Sequence, residues 1–389
     1  MKTIPLRSPW VRGPAWDGFW IMSALWMAPI IVWLFLRYSD AENSPLDELY
    51  FGLTALFWIG HRLSSSYLAY CTEAYRPLLR SQPIRFVVLP LLVTAGCFAV
   101  FLPSDEALPW NRAERLVAMA IIDYIFVTYH FATQHFGALS LYRTRVGRSA
   151  CATTRKMDRL FALCVGGVLV LLADLLAGAA AFQDRWAAGW DFSQDGIRTG
   201  ATIALAAATA AFLYVELSSP QWSLPRVLYV LGIAVMVALA LNPPSPFIFL
   251  VIWTSQHWML AMGLASQVPA AESAPDRGVL RRILHTLNMR PWAVLGVLVA
   301  VSVLLLPVFE VEANRQGGTY YGDRIFGALV TGLRSSTWVP ALLALGFSTG
   351  FVHYLLDRSV YRMSNPQVRA AARGLLEQNE PSYFPARNS

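Results

Sequence analysis

Six histidines, His61, His130, His135, His257, His285 and His353, are the residues of this 389-residue chain best suited to chemistry. Imidazole is the commonest protein ligand for zinc- and iron-type metals, and carboxylates complete such sites. His353 and Asp357, in VHYLLD (352–357), are four residues apart and share one helical face. That spacing suits two metal ligands, a His ligand with the carboxylate that orients it, or an ordinary polar pair at a helix end. His130 and His135, in YHFATQHFG (129–137), are five apart. On a regular helix they diverge by about 140°. They would flank a site between helices, or be drawn together by a π-bulge. His257 in WTSQHWMLA and His61 in FWIGHRLSSSY read as ligands or as structural hydrogen bonders in polar helix segments. His285, in the basic stretch LRRILHTLN, reads as a surface residue.

These residues have to be positioned by apolar runs. The chain is 56% hydrophobic and only 14% charged, with a mean hydropathy of +0.45. A soluble protein carries roughly 25% charged residues. At about 20 residues per span, apolar runs at Phe19–Leu36, Tyr50–Tyr70, Phe86–Leu102, Leu116–Tyr142, Leu160–Phe182, Thr199–Val215, Val227–Leu241, Pro246–Ala265, Trp292–Phe309 and Trp338–Leu356 predict ten. The expected fold is therefore all-α, a polytopic transmembrane bundle over residues 1–357. A basic tail, 358–389, would follow it and carry a short amphipathic helix at 366–377 that rests on anionic headgroups. The first run follows a basic start, is long, and is not followed by a small-residue cleavage site, so it reads as a retained span rather than a signal peptide.

Charge sets the orientation. Of 31 Lys and Arg, 23 fall on the side of the amino terminus and eight on the other, with acidic and basic loops alternating. The positive-inside rule then places both termini in the cytoplasm, in a membrane of the bacterial inner-membrane type. It also accounts for the net charge of +7 without nucleic acid as a partner. The four cysteines, Cys71, Cys97, Cys151 and Cys164, show no metal or disulfide spacing.

On this topology the second, fourth, eighth and tenth spans run inward. They bring His61, His130, His135, His257 and His353 to one depth on the cytoplasmic side. Glu216 holds the corresponding position on the sixth span. Asp123 lies seven residues before His130, about 10 Å deeper at 1.5 Å per residue, and is a relay group, a ligand's partner or a packed polar residue. The outward half is otherwise nearly free of polar residues. A charged group at the bilayer centre costs about 2.5–3.5 kcal/mol, so a shared layer of such groups implies mutual satisfaction or a shared ion. Five His as metal ligands, with Asp357, Glu216 and Asp123 as ligand or acid–base groups, exceed what one tetrahedral zinc requires. The count fits two metals, two irons before others, and a cytoplasm-facing site for oxygen chemistry on a hydrophobic, lipid-like substrate. A soluble electron donor would dock on the basic face. A zinc-dependent hydrolase or lipid-modifying transferase is the second reading, and a transporter or haem protein the third.

The motifs YHFATQHFG and VHYLLD, in a many-span chain with histidines on separate helices, resemble the integral-membrane non-haem iron oxygenases and desaturases. Within that group the design is most similar to the Brp/Blh carotene-cleaving dioxygenases. The HxxxH and HxxHH boxes of fatty-acid desaturases and alkane hydroxylases are absent. The resemblance implies metal dependence and names no substrate.

Overall fold

Apolar segments that exclude water must close their backbone hydrogen bonds internally, and a helix does so within one segment. The computed structural model describes residues 8–38, 44–148, 151–177, 194–242, 246–271, 278–313, 320–334 and 337–376, and its described residues form helices with no strand. Seven helices are long and apolar enough to cross a membrane. There are eight if the pair Pro14–Ile21 and Ala24–Tyr38, bent by 47°, is one broken span. Their outward faces expose Leu91, Leu92, Ile125, Ile203 and Leu304, the surface expected of an integral membrane protein. The two other expected spans are built from shorter pieces joined through π-helical turns, Pro45–Cys71 around Thr54–Trp58 and Ala152–Ala177 around Cys164–Val168. The expected end of the latter, Phe182, lies outside the described residues.

In chain order the helices are α1 (Ala24–Tyr38), α2 (Pro45–Leu53), α3 (Ile59–Cys71), α4 (Leu89–Phe101), α5 (Arg112–Arg145), α6 (Ala152–Leu163), α7 (Leu169–Ala177) and α8 (Gln194–Leu217). They continue with α9 (Leu224–Leu241), α10 (Pro246–Ala265), α11 (Val279–Asn288), α12 (Pro291–Ala313), α13 (Tyr321–Phe326), α14 (Val339–Val360), α15 (Pro366–Ala371) and α16 (Arg373–Leu376). Local chemistry sets several boundaries. Ser44 caps α2 ahead of Pro45 at its first position. Asn111 and Glu114 form a reciprocal capping box at the start of α5, with bonds of 3.0 and 2.9 Å. Gly147, with φ of 76°, follows the end of α5 in a conformation other residues resist. Helix α10 is the central rod and packs on α1 and α3, while α14 lies against α3 and α4, and α12 against α3 and α14. At Gly60 a Cβ would stand 2.5 Å from the Leu298 carbonyl oxygen, so glycine is what lets α3 approach α12 this closely.

One end of the bundle is held by buried charge. Arg226, fully buried on α9, donates to Asp158 of α6 (2.6 Å) and to Glu216 of α8 (3.0 Å). It also reaches the Leu139 carbonyl of α5 at 2.8 Å. Arg143 bonds Asp158, and Arg148 bonds Glu216 at 2.9 Å. Glu216 is thus committed to two arginines and to the Ser223 amide (2.9 Å). The tail departs from expectation too. Its helix is split into α15 and α16, and Val368, Ala371, Ala372 and Leu375 are buried against protein rather than turned to headgroups. Arg145 donates to the Leu375 carbonyl at 2.9 Å, which pins the tail to α5.

Removing one partner of a buried ion pair leaves the other charge uncompensated, at a cost of about 3–5 kcal/mol. Arg226→Met is therefore expected to lower the thermal midpoint of the detergent-solubilised protein sharply. Arg324→Met, which breaks an exposed pair with Glu48, is the control and is expected to change stability by about 0–1 kcal/mol. Equal midpoints for the two variants would contradict the clamp.

Candidate metal centre

Four imidazoles from four helices meet inside the bundle: His61 (α3), His130 (α5), His257 (α10) and His353 (α14), all buried. Their rings form a closed quadrilateral. The centroid separations are 4.8 Å for His61–His257, 5.0 Å for His257–His130, 4.9 Å for His130–His353 and 5.0 Å for His353–His61. The His257–His353 diagonal is 6.2 Å. Ligand-capable atoms of His61, His257 and His353 lie within 4.8 Å of one another, as do those of His130, His353 and Asp357.

Three of the four rings are oriented by a hydrogen-bonding neighbour. His61 Nδ1 stands 2.5 Å from the Trp58 carbonyl oxygen, to which it donates, and this leaves Nε2 as the ligand atom. His257 Nδ1 lies 2.5 Å from Gln134 Oε1, an acceptor contributed by α5. His353 Nδ1 is 3.3 Å from the Ser65 hydroxyl, which itself donates to Asp357 Oδ1 at 2.7 Å. Asp357 Oδ2 is 3.9 Å from His130 Nε2. The Nε2 atoms of His130 and His353 are buried and without a hydrogen-bond partner. An unsatisfied buried polar atom costs about 1–3 kcal/mol, and two of them facing one ring of donors is what a bound ion would relieve. The donor set, neutral imidazole nitrogens with one carboxylate, suits iron or zinc.

The expected layer is thus partly assembled. His61, His130, His257, His353 and Asp357 are brought together. His135 is turned aside, with Nδ1 on the Tyr229 hydroxyl at 2.8 Å. Its ring abuts Gly166, where a Cβ would stand 2.5 Å from Cδ2. Helix α5 is regular through both histidines, so the 140° divergence persists, and the π-turn lies instead on the facing segment Cys164–Val168. Glu216 sits in the arginine clamp. Asp123 accepts from the Tyr354 hydroxyl at 3.1 Å, and the Tyr354 ring lies 5.0 Å from His130, so Asp123 borders the centre through that tyrosine. His285 lies on α11, away from the quartet.

The interior toward the amino-terminal half of α14 is more polar than the sequence implied. Arg62 donates to Glu312 at 2.7 Å and to the Gly346 carbonyl at 3.2 Å, and Tyr124 bonds Asp174. These groups satisfy one another, as buried charges in an apolar setting must. Three contributors were missed: Gln134, Ser65 and Tyr354. Two carried a signal. Gln134 follows His130 by four residues and Ser65 follows His61 by four, the same spacing as His353 and Asp357. Each of these two polar residues serves a histidine of another helix, a pairing no single segment shows.

No family model, curated protein or solved structure matches the chain.

Gln134→Leu removes the acceptor of His257 while leaving all four imidazoles in place. Loss of such an orienting partner weakens metal binding by about 10–100-fold. Competition with a chelator of known strength, on wild type and variant, is expected to show that difference. Identical competition curves would mean that the Gln134 contact does not orient a ligand.

Proposed function

We propose that this chain is an integral-membrane, metal-dependent oxidoreductase that holds one iron in the His61, His130, His257 and His353 quartet, with Asp357 as the adjoining carboxylate, and acts on a hydrophobic substrate. The observation that carries this reading is the closed ring of four buried imidazoles, two of them with an orphaned Nε2.

Iron rather than zinc suits this reading because a redox reaction needs a metal that changes oxidation state, which zinc does not. The sequence count of five histidines favoured two irons. In the assembled site His353 is common to both donor groups, so a second ion would have to share it, and a single ion is the simpler occupant.

A bound iron would supply activation of dioxygen and electron transfer. The chain's own residues do the rest. Trp58, Gln134 and Ser65 fix the tautomers that present ligand nitrogens inward. Ser65 holds Asp357 in place beside His130 and His353. Phe131, with its ring 4.0 Å from His257, and Trp258, 6.0 Å from His61, exclude water and present apolar surface to a lipid-like substrate. The likeness in design to the Brp/Blh carotene-cleaving dioxygenases belongs to this same proposal. So do ten spans in a bacterial inner membrane, both termini in the cytoplasm, and an electron donor on the basic face.

Metal analysis of detergent-purified protein is expected to find one iron per chain, lost in His130→Ala and His353→Ala and retained in His285→Ala. Two irons would restore a dinuclear centre. One zinc would shift the reading to a hydrolase or lipid-modifying transferase. Full activity in both alanine variants, without metal, would end the metal reading altogether. Reporter fusions at the two termini are expected to be active only as cytoplasmic reporters.

A further inference from the structure

Oxygen chemistry inside a protein exposes its own ligands to oxidation whenever the substrate is absent. The easily oxidised aromatic side chains are indole and phenol, while phenylalanine is inert at the potentials concerned. Around the quartet these rings are unequally placed. Tyr354 lies nearest, 5.0 Å from His130, but the ring beyond it is Phe351 at 6.3 Å, which ends that branch. On one side Phe131 lies against His257, with its ring 5.0 Å from Trp253. The Phe131 ring interrupts that branch, and Trp253 stacks on another phenylalanine, Phe249. On the other side an unbroken series of oxidisable rings leads away from the centre. Trp258 stacks on His61 at 6.0 Å and 29°. Tyr50 stacks on Trp258 at 6.4 Å and 16°. Tyr321 stands 6.3 Å from Tyr50. Trp258 is buried, Tyr50 and Tyr321 are half-buried, and Tyr321 lies on α13 within electrostatic reach of Asp47, Glu310 and Glu48 and of Arg324, which pairs with Glu48. The series therefore begins at a ligand ring and ends beside carboxylates at the acidic end of the bundle.

We propose that Trp258, Tyr50 and Tyr321 form a one-electron relay that carries oxidising equivalents from the four-histidine centre to the acidic end of the protein. The proposal rests on the iron reading of that centre. Hydrogen peroxide is the oxidant that exposes it. Trp258 loses one electron to the oxidant at the centre and regains one from Tyr50. Tyr50 is reduced by Tyr321 as it is oxidised, so its phenolic proton stays on its own oxygen within the hydrogen bonds to Thr254 and Thr54. Tyr321 ends as the neutral phenoxyl radical, its proton passing to the carboxylates beside it. In sum, one hydrogen peroxide, one ferrous iron, one tyrosine and one proton give one ferric iron, one tyrosyl radical and two waters.

The test uses the full-length, iron-loaded, ferrous protein in detergent, mixed with one equivalent of hydrogen peroxide and frozen within milliseconds. Electron paramagnetic resonance is expected to show an organic radical whose lines narrow when the protein carries ring-deuterated tyrosine. Tyr321→Phe, at the far end of the series, is expected to lower that signal several-fold while iron content stays unchanged. Trp258→Phe is expected to raise oxygen incorporation into the peptides bearing His61 and His257 several-fold, read by mass spectrometry. Equal radical signals in wild type and Tyr321→Phe, with no added oxidation in Trp258→Phe at full iron content, would reduce the series to aromatic packing and leave the metal site standing. A protein that binds no iron would overturn the metal reading and the relay with it.

Discussion

Burying four imidazoles together in an apolar bundle is costly unless each has its N–H accepted and its lone pair occupied. The rest of the structure follows from that constraint. Every ring needs a fixed acceptor on one nitrogen, and for two of the four the acceptor comes from a different helix. Gln134 of α5 serves His257 of α10, and Ser65 of α3 serves His353 of α14 while also tying down Asp357. Two of the helices that bear the histidines therefore also orient a ring of another helix. Moving α3 or α5 would disturb both a ring it carries and a ring it supports.

This mutual support explains what the amino-acid sequence could and could not show. The depth at which His61, His130, His257 and His353 lie was legible because hydropathy and loop charge place a residue along a span. The His353–Asp357 face was legible because helical geometry relates positions four apart. What lies opposite a residue on another helix is not encoded by either signal. Glu216 shares the right depth but faces Arg148 and Arg226, which stand beyond the ends of α5 and at the start of α9. His135 shares a helix with His130 but is rotated away from it, toward Tyr229. The outward half looked empty because Arg62, Asp123, Glu312 and Asp174 are few and scattered along the chain. They find partners only where helices pack: Arg62 of α3 meets Glu312 of α12, Asp123 of α5 meets Tyr354 of α14, and Asp174 of α7 meets Tyr124 of α5.

Small residues and π-turns do the fine positioning. Gly60 sits next to His61 and allows α12 to lie against α3, which fixes the depth of that imidazole. The π-turn Thr54–Trp58 precedes it directly, and the carbonyl of the turn's last residue is the acceptor of the His61 ring. Such turns are frequent at functional sites because they redirect a carbonyl that a regular helix would keep for itself. The tail follows the same logic at larger scale. Its apolar face meets Gln267, Val268 and α5 rather than lipid, so the carboxy-terminal helices belong to the bundle's packing.

The arginine clamp has a consequence for assembly. Arg143 and Asp158 lie on the successive helices α5 and α6, and Glu216 and Arg226 on the successive helices α8 and α9. Each helical hairpin thus carries its own neutral pair at its connecting end. The contacts between hairpins, Arg226 with Asp158 and Arg148 with Glu216, form only when the second pair arrives. Each hairpin is self-neutralised across its own turn, and packing the two together joins both pairs into one network.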